Sequence, residues 1–214
     1  MDYEALYAHR FKGVDQAARD AVWRVISRYI FDIAGHPNRV LDPACGLGEF
    51  INSCPAEERW ASDLGMSGDR LDPSVRFTRG SFLDSDAPDE HFDLIYLSNV
   101  LEHLDSQIAV NQFLLHARSK LRPGGRVVIM GPNFKYCADE YFDCADHTTI
   151  LTHVSVEEHL VAAGFRPSLT IPRFLPYSFR SKLPSFGFTT SLYLKSKPIW
   201  RFFGKQFLLI GTKK

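Results

Sequence analysis

The sequence predicts an α/β protein built on a mostly parallel sheet. Short apolar segments alternate with segments of helical periodicity as far as Met130, which is typical of strand–helix–strand units with right-handed crossovers. The first apolar segment runs into a turn that contains Gly46 and Gly48. Glycine lets a backbone turn sharply or approach a ligand closely. The length of 214 residues and the hydrophobic content of 45% suit one domain that spans residues 1–214.

The first long helix is predicted over residues 15–33, where apolar residues recur at helical spacing with charged residues between them. We expect this helix to pack beside the first strand. Together with the segment before it, it forms a predicted helical cap over residues 1–35.

The first strand, at residues 39–42, carries an acid where it meets the glycine turn. A third glycine two residues after Gly48 would complete the dinucleotide-binding fingerprint, but position 50 is Phe, so pyrophosphate binding is disfavoured. The carboxylate of Asp42 would oppose a phosphate and favour a cation or a hydroxyl. The turn therefore predicts a nucleotide-like ligand without a phosphate at this point.

The second strand is predicted at residues 59–64, with Asp63 near its end. Asp63 follows the start of the glycine turn by about twenty residues, a spacing that suits a carboxylate bound to a ribose diol. Hydrogen bonds to a charged group contribute about 1.5–3 kcal/mol each. The predicted ligand therefore contains a ribose.

These residues resemble the cofactor motifs of class I S-adenosylmethionine-dependent methyltransferases. The resemblance implies a Rossmann-like three-layer sandwich, with a seven-stranded sheet in the order 3-2-1-4-5-7-6 and an antiparallel last strand. It implies S-adenosylmethionine as the cofactor and S-adenosylhomocysteine as the product. The matching residues are Asp42, Ala44, Gly46, Gly48 and Asp63.

Later segments extend the resemblance. Residues 75–84 look like the third strand and the adenine-contacting segment, although Ser81 stands where many members carry Asp. Residues 92–99 look like the fourth strand, and residues 100–104 look like the start of the following helix, which Glu102 and His103 open. Residues 121–130 look like a helix stop followed by the fifth strand. The further cofactor contacts implied are Leu64, Ser81, Phe82, Asp84 and Asn99.

The last third of the chain predicts one more helix, at residues 155–165, and two more strands, at 165–174 and 206–212. Ser155 is the expected N-cap of the helix, and Gly164 its C-cap. An aromatic-rich insertion over residues 175–205 lies near the expected substrate mouth and is too long for a hairpin. It could be a helix over the sheet edge, an oligomer contact, or a peripheral membrane contact through residues 190–205.

Two histidines are the candidate bases. In-line methyl transfer mainly requires alignment, but a hydroxyl acceptor loses a proton, which histidine can take. His147, placed beyond the fifth strand with Asp146 beside it, is the first candidate, and His103 is the second. Alternatively, the segment around His147 caps a loop, and His103 packs against the cofactor loop.

The acceptor is predicted less sharply than the cofactor. Residues 132–147 look like a subgroup associated with bacterial glycan or secondary-metabolite clusters, which implies a small-molecule or glycan acceptor, with a hydroxyl oxygen expected. A small amine is the alternative acceptor, and a non-catalytic domain that binds S-adenosylmethionine or a partner is the alternative function. The expected substrate contacts are Asn133, Tyr136, Tyr141 and Asp143.

Nucleic acid and metal ions are not expected ligands. The net charge of zero and the pI of about 7.1 give no positive field for phosphates. Asn99 is also not followed by the Pro-Pro and aromatic residues of nucleic-acid amino-methyltransferases.

One group of carboxylates and imidazoles could suit a hard cation, but its spacing matches no strong metal motif, so no metal is predicted. Its members are Glu102, His103, Asp143, Asp146 and His147.

The four cysteines form no close pair and no disulfide framework. The N-terminal residues lack the features of a signal peptide, and no apolar run approaches a transmembrane length. A cytoplasmic protein with reduced thiols is expected, and the sequence predicts no particular oligomeric state.

Overall fold

The computed structural model describes residues 2–177 and 187–214. Within them, seven strands form one sheet in the order β3-β2-β1-β4-β5-β7-β6, and β7 runs antiparallel to both of its neighbours. The predicted fold class and strand order are confirmed. The strands are β1 Arg39–Asp42, β2 Glu58–Asp63, β3 Val75–Arg79, β4 Phe92–Ser98, β5 Leu121–Pro132, β6 Phe165–Ile171 and β7 Gln206–Lys213.

The described residues also contain eight α-helices and two short 3-10 helices, at Phe82–Asp84 and Leu101–His103. None of these helices is both long enough and apolar enough to cross a membrane. The α-helices are α1 Tyr3–Arg10, α2 Gln16–Ile33, α3 Glu49–Ser53, α4 Gln107–Lys120, α5 Phe134–Tyr141, α6 His153–Ala162, α7 Gly187–Lys195 and α8 Lys197–Phe203.

The chain forms two compact units. Unit one contains residues 2–86 and α7. In it, α2 begins where the sequence predicts, because the Asp15 side chain accepts a hydrogen bond from the Ala18 N–H at 3.1 Å and caps the helix. α2 packs against α3 and α7 and buries Ile26, Ile30 and Phe31. It therefore forms the helical wall of this unit.

Residues 75–84 contain the third strand and a separate 3-10 helix. β3 ends at Arg79, and Gly80 follows with φ +147°, a backbone region that favours glycine. Ser81 then caps the first 3-10 helix by accepting a hydrogen bond from the Leu83 N–H at 3.2 Å. The chain therefore leaves the sheet before the segment expected to contact adenine.

Unit two contains β4 to β7, α4 to α6, and α8. Its core strands are apolar on both faces: four successive residues of β4, from Leu94 to Leu97, are buried, as are the first six residues of β7. β5 and β6 are not adjacent in the sheet, since β7 pairs with each of them. This arrangement holds the carboxyl end of β5 beside the start of β7.

Two helix boundaries in unit two differ from the sequence prediction. α6 begins at His153, and its N-cap is Thr152; Ser155 is instead the partner whose hydroxyl accepts a hydrogen bond from the Thr152 N–H at 2.9 Å. The helix expected to open at residues 102–103 starts only at Gln107, capped by Ser106. Glu102 and His103 therefore lie on a 3-10 turn.

The predicted insertion at residues 175–205 contains two helices, α7 and α8, in its described part. Its residues 178–186 lie outside the described residues. The strand before it, β6, ends at Ile171, three residues earlier than predicted.

Candidate active site

The glycine turn after β1 is shaped by two residues with positive φ, Gly46 at +54° and Gly48 at +79°. A Cβ on Gly48 would lie 2.4 Å from Leu71 Cδ2, so this position admits only glycine without movement of its neighbours. Among the described residues, a Cβ on Gly46 would meet only Tyr7 Cε1, at 3.8 Å. Gly48 therefore serves close packing, whereas Gly46 leaves open space above the turn.

Asp63 ties this turn to the end of β2. Its Oδ2 accepts a hydrogen bond from the Gly46 N–H at 2.9 Å, and its Oδ1 accepts from Gly65 at 2.9 Å and from Met66 at 3.0 Å. A carboxylate has about four acceptor positions, so the backbone occupies three of them. One position, on Oδ2, is left for a ligand hydroxyl.

Asp42 is the second carboxylate of this group, and it is buried. Burial is the main cause that raises the pKa of Asp42 well above its usual range. The negative charges of Asp63 and Glu49 raise it further, whereas the hydrogen bond from the Ala44 N–H lowers it. A bound cation would favour the charged form. The sequence analysis missed Glu49, whose carboxylate pairs with Arg19 at 2.5 Å.

Helix α1 lies against the same turn. A Cβ on Gly65 would be 2.6 Å from Tyr3 Cβ, and Tyr7 faces Gly46. The guanidinium of Arg10 lies 5.5 Å from the Tyr7 ring centroid, and the Tyr7 and Phe11 rings are 5.7 Å apart. No residue of α1 is buried, so this helix lies outside the core.

The other cofactor residues predicted in unit one differ in accessibility. Leu64, directly after Asp63, is exposed, and so is Asp84. Phe82 is buried in the core, and the Ser81 hydroxyl is engaged with the backbone of Leu83. Ala44 lies partly buried in the turn itself. Leu64 and Asp84 are therefore better placed than Phe82 to meet a ligand in this conformation.

Asn99, the predicted cofactor contact in unit two, follows β4 with φ +51°. Asparagine adopts this left-handed conformation more readily than most residues. The Asn99 N–H donates to the Met130 carbonyl at 2.8 Å, and its side-chain amide donates to Ser98 Oγ at 3.1 Å. Strained conformations of this kind cluster at functional sites.

The two candidate bases meet in unit two. His103 Nδ1–H donates to the Asp146 carbonyl oxygen at 3.0 Å and lies 3.4 Å from the Asp146 carboxylate Oδ2. The His147 ring stands edge-on to the His103 ring, with centroids 4.9 Å apart. His103 is partly exposed, whereas Asp146 and His147 are buried. The Glu102 carbonyl holds the two segments together by accepting hydrogen bonds from the Thr148 and Thr149 N–H groups.

Buried phenols and thiols surround this pair. Burial, followed by the charge of Glu102, raises the pKa of Tyr141, whose hydroxyl donates to the Thr149 carbonyl at 2.6 Å. Burial also raises the pKa of Cys137 to about 12 and raises that of Tyr177. These groups therefore stay protonated near neutral pH and do not serve as bases.

The predicted acceptor contacts are divided between the core and the surface. Asn133 is fully buried, and its amide donates to the Pro172 carbonyl at 2.8 Å and to His153 Nδ1 at 2.9 Å. Tyr141 is buried as well. Tyr136 lies under the Arg173 guanidinium at 4.7 Å, and Asp143 is exposed. Asn133 and Tyr141 thus support the fold directly, while Tyr136 and Asp143 remain accessible to a ligand.

The structure also brings together ligand atoms that the sequence spacing kept apart. One ligand atom each from Glu102, His103 and His147 lie within 4.8 Å of one another, as do those of Cys144, Asp146 and His147. Both groups contain His147, and the first also contains His103. Glu102 and His103 precede His147 by about 45 residues in the sequence, so spacing alone did not reveal the first group, and Cys144 was not among the residues considered as ligands.

The seven-stranded sheet with its antiparallel β7, and the glycine turn after β1, are features of class I S-adenosylmethionine-dependent methyltransferases. Residues 15–167 match a family model described as a methyltransferase domain, and the chain belongs to that family. S-adenosylmethionine is its cofactor. The glycine turn suits this cofactor because Gly46 leaves open space and Asp63 keeps an acceptor position. No curated protein matches the chain.

Solved structures show the same fold. An S-adenosylmethionine-dependent methyltransferase from Archaeoglobus fulgidus is 21% identical over 99% of this chain and 100% of its own, with a TM-score of 0.68. The 1,6-didemethyltoxoflavin-N1-methyltransferase of Burkholderia thailandensis, with bound S-adenosylhomocysteine, is 20% identical over 99% and 89%, with a TM-score of 0.63. A methyltransferase from Mesorhizobium loti is 16% identical over 88% and 96%, with a TM-score of 0.61.

Proposed function

We propose that the protein methylates a hydroxyl oxygen of a small molecule or a glycan. The observation that carries this proposal is the pairing of a partly exposed histidine, His103, with the carbonyl and carboxylate of Asp146. Bound S-adenosylmethionine supplies an electrophilic methyl group. What remains for the chain is to bind the cofactor, align the acceptor and remove the proton.

In unit one, we assign the cofactor contacts to residues that a ligand can reach. Asp63 binds a ribose hydroxyl through the remaining acceptor position on Oδ2. The turn at Gly46 lies under the methionine part, where Asp42 favours positive charge. Leu64 and Asp84 contact the adenosine, and the cap formed by residues 1–35 covers the turn through Tyr7. Ala44, Gly48, Ser81 and Phe82 support these groups.

His103 is the better-supported base of the two histidines. Its Nδ1–H is held by the Asp146 carbonyl, which leaves the lone pair on Nε2. The Oδ2 atom of Asp146 lies close enough to stabilise the imidazolium that forms when Nε2 takes the acceptor proton. His147 packs against the His103 ring and fixes its orientation. A positioned base of this kind contributes about 10²–10⁴-fold to the rate.

Tyr136 and Asp143 are the proposed acceptor contacts on the accessible side, with Asn99 near the end of β4 as a further cofactor contact. A hydroxyl-rich acceptor such as a sugar would be recognised by carboxylate and phenol hydrogen bonds of this type. Nitrogen is the second candidate atom, because the structurally similar Burkholderia thailandensis protein is an N1-methyltransferase. His103 could accept a proton from either kind of acceptor.

Calorimetric titration of the purified protein with S-adenosylmethionine, S-adenosylhomocysteine and NAD tests the cofactor site. We expect the two adenosyl ligands to bind and NAD to show no binding. Methyl-labelled S-adenosylmethionine with separate panels of sugars, phenols and amines then tests the acceptor. Label in the sugar or phenol panel supports the proposal, and label confined to amines selects nitrogen. Binding with no transfer to any panel favours a non-catalytic domain.

A further inference from the structure

The final quarter of the chain carries an unusual charge distribution. No Asp or Glu occurs after Glu158, but this part contains ten Lys and Arg residues. Since the whole chain has 25 basic and 25 acidic residues, the first 158 residues hold 15 basic and 25 acidic ones. The zero net charge therefore conceals a strongly basic C-terminal part.

Helix α8, within this basic part, exposes apolar side chains on one face. Ile199, Phe202 and Phe203 are 37%, 74% and 60% exposed, and their spacing of three and four residues places them together. Lys197 and Arg201, also four residues apart, lie on the other side and are exposed. Within the described part of the chain, neither forms an ion pair. Aromatic residues opposite basic ones are typical of helices that lie on membrane surfaces.

α8 is firmly held in this orientation. Its Trp200 is buried and packs edge-on against Phe174, with ring centroids 5.2 Å apart. Arg173 donates hydrogen bonds to the Gly204 carbonyl at 2.8 Å and to the Phe202 carbonyl at 3.0 Å. A Cβ on Gly204 would lie 2.6 Å from the Arg173 carbonyl carbon. The exposed face is therefore a fixed feature of unit two.

We propose that α8 binds the surface of an anionic phospholipid bilayer. Ile199, Phe202 and Phe203 enter the headgroup region, while Lys197 and Arg201 attract the lipid phosphates. A second copy of the chain is a poorer occupant, because a two-fold contact through α8 would bring the same cations together. An anionic bilayer provides phosphates for the cations and an apolar region for the aromatic side chains. It does not require a binding groove on α8.

Co-sedimentation with vesicles tests this inference without any methyl acceptor. The purified protein is mixed with vesicles of phosphatidylcholine alone, and with vesicles of phosphatidylcholine and phosphatidylglycerol in equal parts, at about 0.1 M salt. We expect binding to the mixed vesicles only, with a strong decrease as salt is raised. Replacement of both phenylalanines, Phe202→Ser with Phe203→Ser, should weaken binding by about tenfold or more.

Two further variants separate charge from general apolar exposure. Lys197→Glu with Arg201→Glu should abolish binding to the mixed vesicles. Ile108→Ser with Leu115→Ser removes two exposed apolar side chains from α4 and should bind as the unchanged protein does. The proposal is overturned if the unchanged protein ignores anionic vesicles, or if the α4 variant loses binding equally. It is also overturned if sedimentation velocity shows that the unchanged protein is a dimer, that the α8 substitutions dissociate it, and that this dimer does not bind vesicles.

Discussion

Two carboxylates close to the same glycine turn have opposite surroundings. Asp63 accepts three backbone hydrogen bonds, whereas Asp42 is buried beside other acids, which raises its pKa. Asp63 has an acceptor position for a ligand hydroxyl, whereas Asp42 becomes charged most easily beside a cation. Residue type alone would have given both the same role.

Replacement of Asp63 by alanine should weaken S-adenosylmethionine binding by about tenfold or more, since hydrogen bonds to a charged group contribute about 1.5–3 kcal/mol. The Gly46 N–H would also lose its acceptor, which loosens the turn. Calorimetric titration measures the affinity. Asp69→Ala, an exposed acid of the same unit, is the control and should bind normally. Unchanged affinity in the Asp63 variant would contradict the ribose contact.

Asp42→Asn should raise the free energy of unfolding of the cofactor-free protein at pH 7. Because the folded-state pKa of Asp42 is raised, the native state keeps a proton that the unfolded state releases above about pH 3.9, and stability falls as pH rises towards the folded pKa. The variant lacks this loss, so it should be more stable than the unchanged protein at pH 7 and equally stable below about pH 4.

Urea unfolding of both proteins between pH 4 and pH 8 measures this difference. The same variant should bind S-adenosylmethionine more weakly, because it cannot offer a negative charge. Parallel stability curves for the two proteins across this pH range would show that Asp42 does not titrate as inferred.

His103→Ala should lower kcat by about 10²–10⁴-fold and leave S-adenosylmethionine affinity unchanged. Added imidazole should restore part of the lost activity, which a purely structural defect would not allow. His147→Ala should lower turnover less and stability more, since this ring is buried between His103 and Tyr141. His159→Ala, on α6, serves as the control. A larger, imidazole-rescued loss at position 147 would assign the base to His147 instead.

At the level of elements, the sequence predicted every strand but not every boundary. β1, β4 and β7 follow from apolar runs bounded by turn residues. β3 ends at Arg79 because Gly80 adopts a conformation that no strand pattern reveals. Thr152 rather than Ser155 caps α6, and the residue types do not decide between them because serine and threonine are both preferred at the N-cap. The hydrogen bonds that decide which residue caps the helix can be seen only in the structure.

The two glycines of the first turn should respond differently to alanine. Gly48→Ala combines positive φ with a contact at 2.4 Å from Leu71 and should lower the free energy of unfolding by about 2 kcal/mol or more. Gly46→Ala meets only Tyr7 and should cost about 1 kcal/mol, with a larger loss of cofactor affinity. Urea unfolding and calorimetry separate the two effects. Equal destabilisation would show that the space above Gly46 is not open.

On the scale of the whole molecule, the proposed cofactor residues could be named from the sequence because Asp42, Gly46, Gly48 and Asp63 lie within about twenty residues of one another. His103 and Asp146 could also be named, but their contact could not, since it joins residues that are 43 positions apart in the chain. Likewise, the neutral net charge argued against nucleic acid but concealed the basic final quarter. Neither the net charge of the whole chain nor a short motif reveals which residues meet when they are far apart in the sequence.

β7 pairs with β5 on one side and β6 on the other, although it follows both in the chain. During synthesis, β5 and β6 must therefore wait with open edges until residues 206–213 emerge and enter between them. Open strand edges promote pairing with other chains, and contacts of long sequence separation form slowly. The nascent chain should thus be most vulnerable to aggregation just before its last strand arrives, and a chaperone would be most useful at that moment.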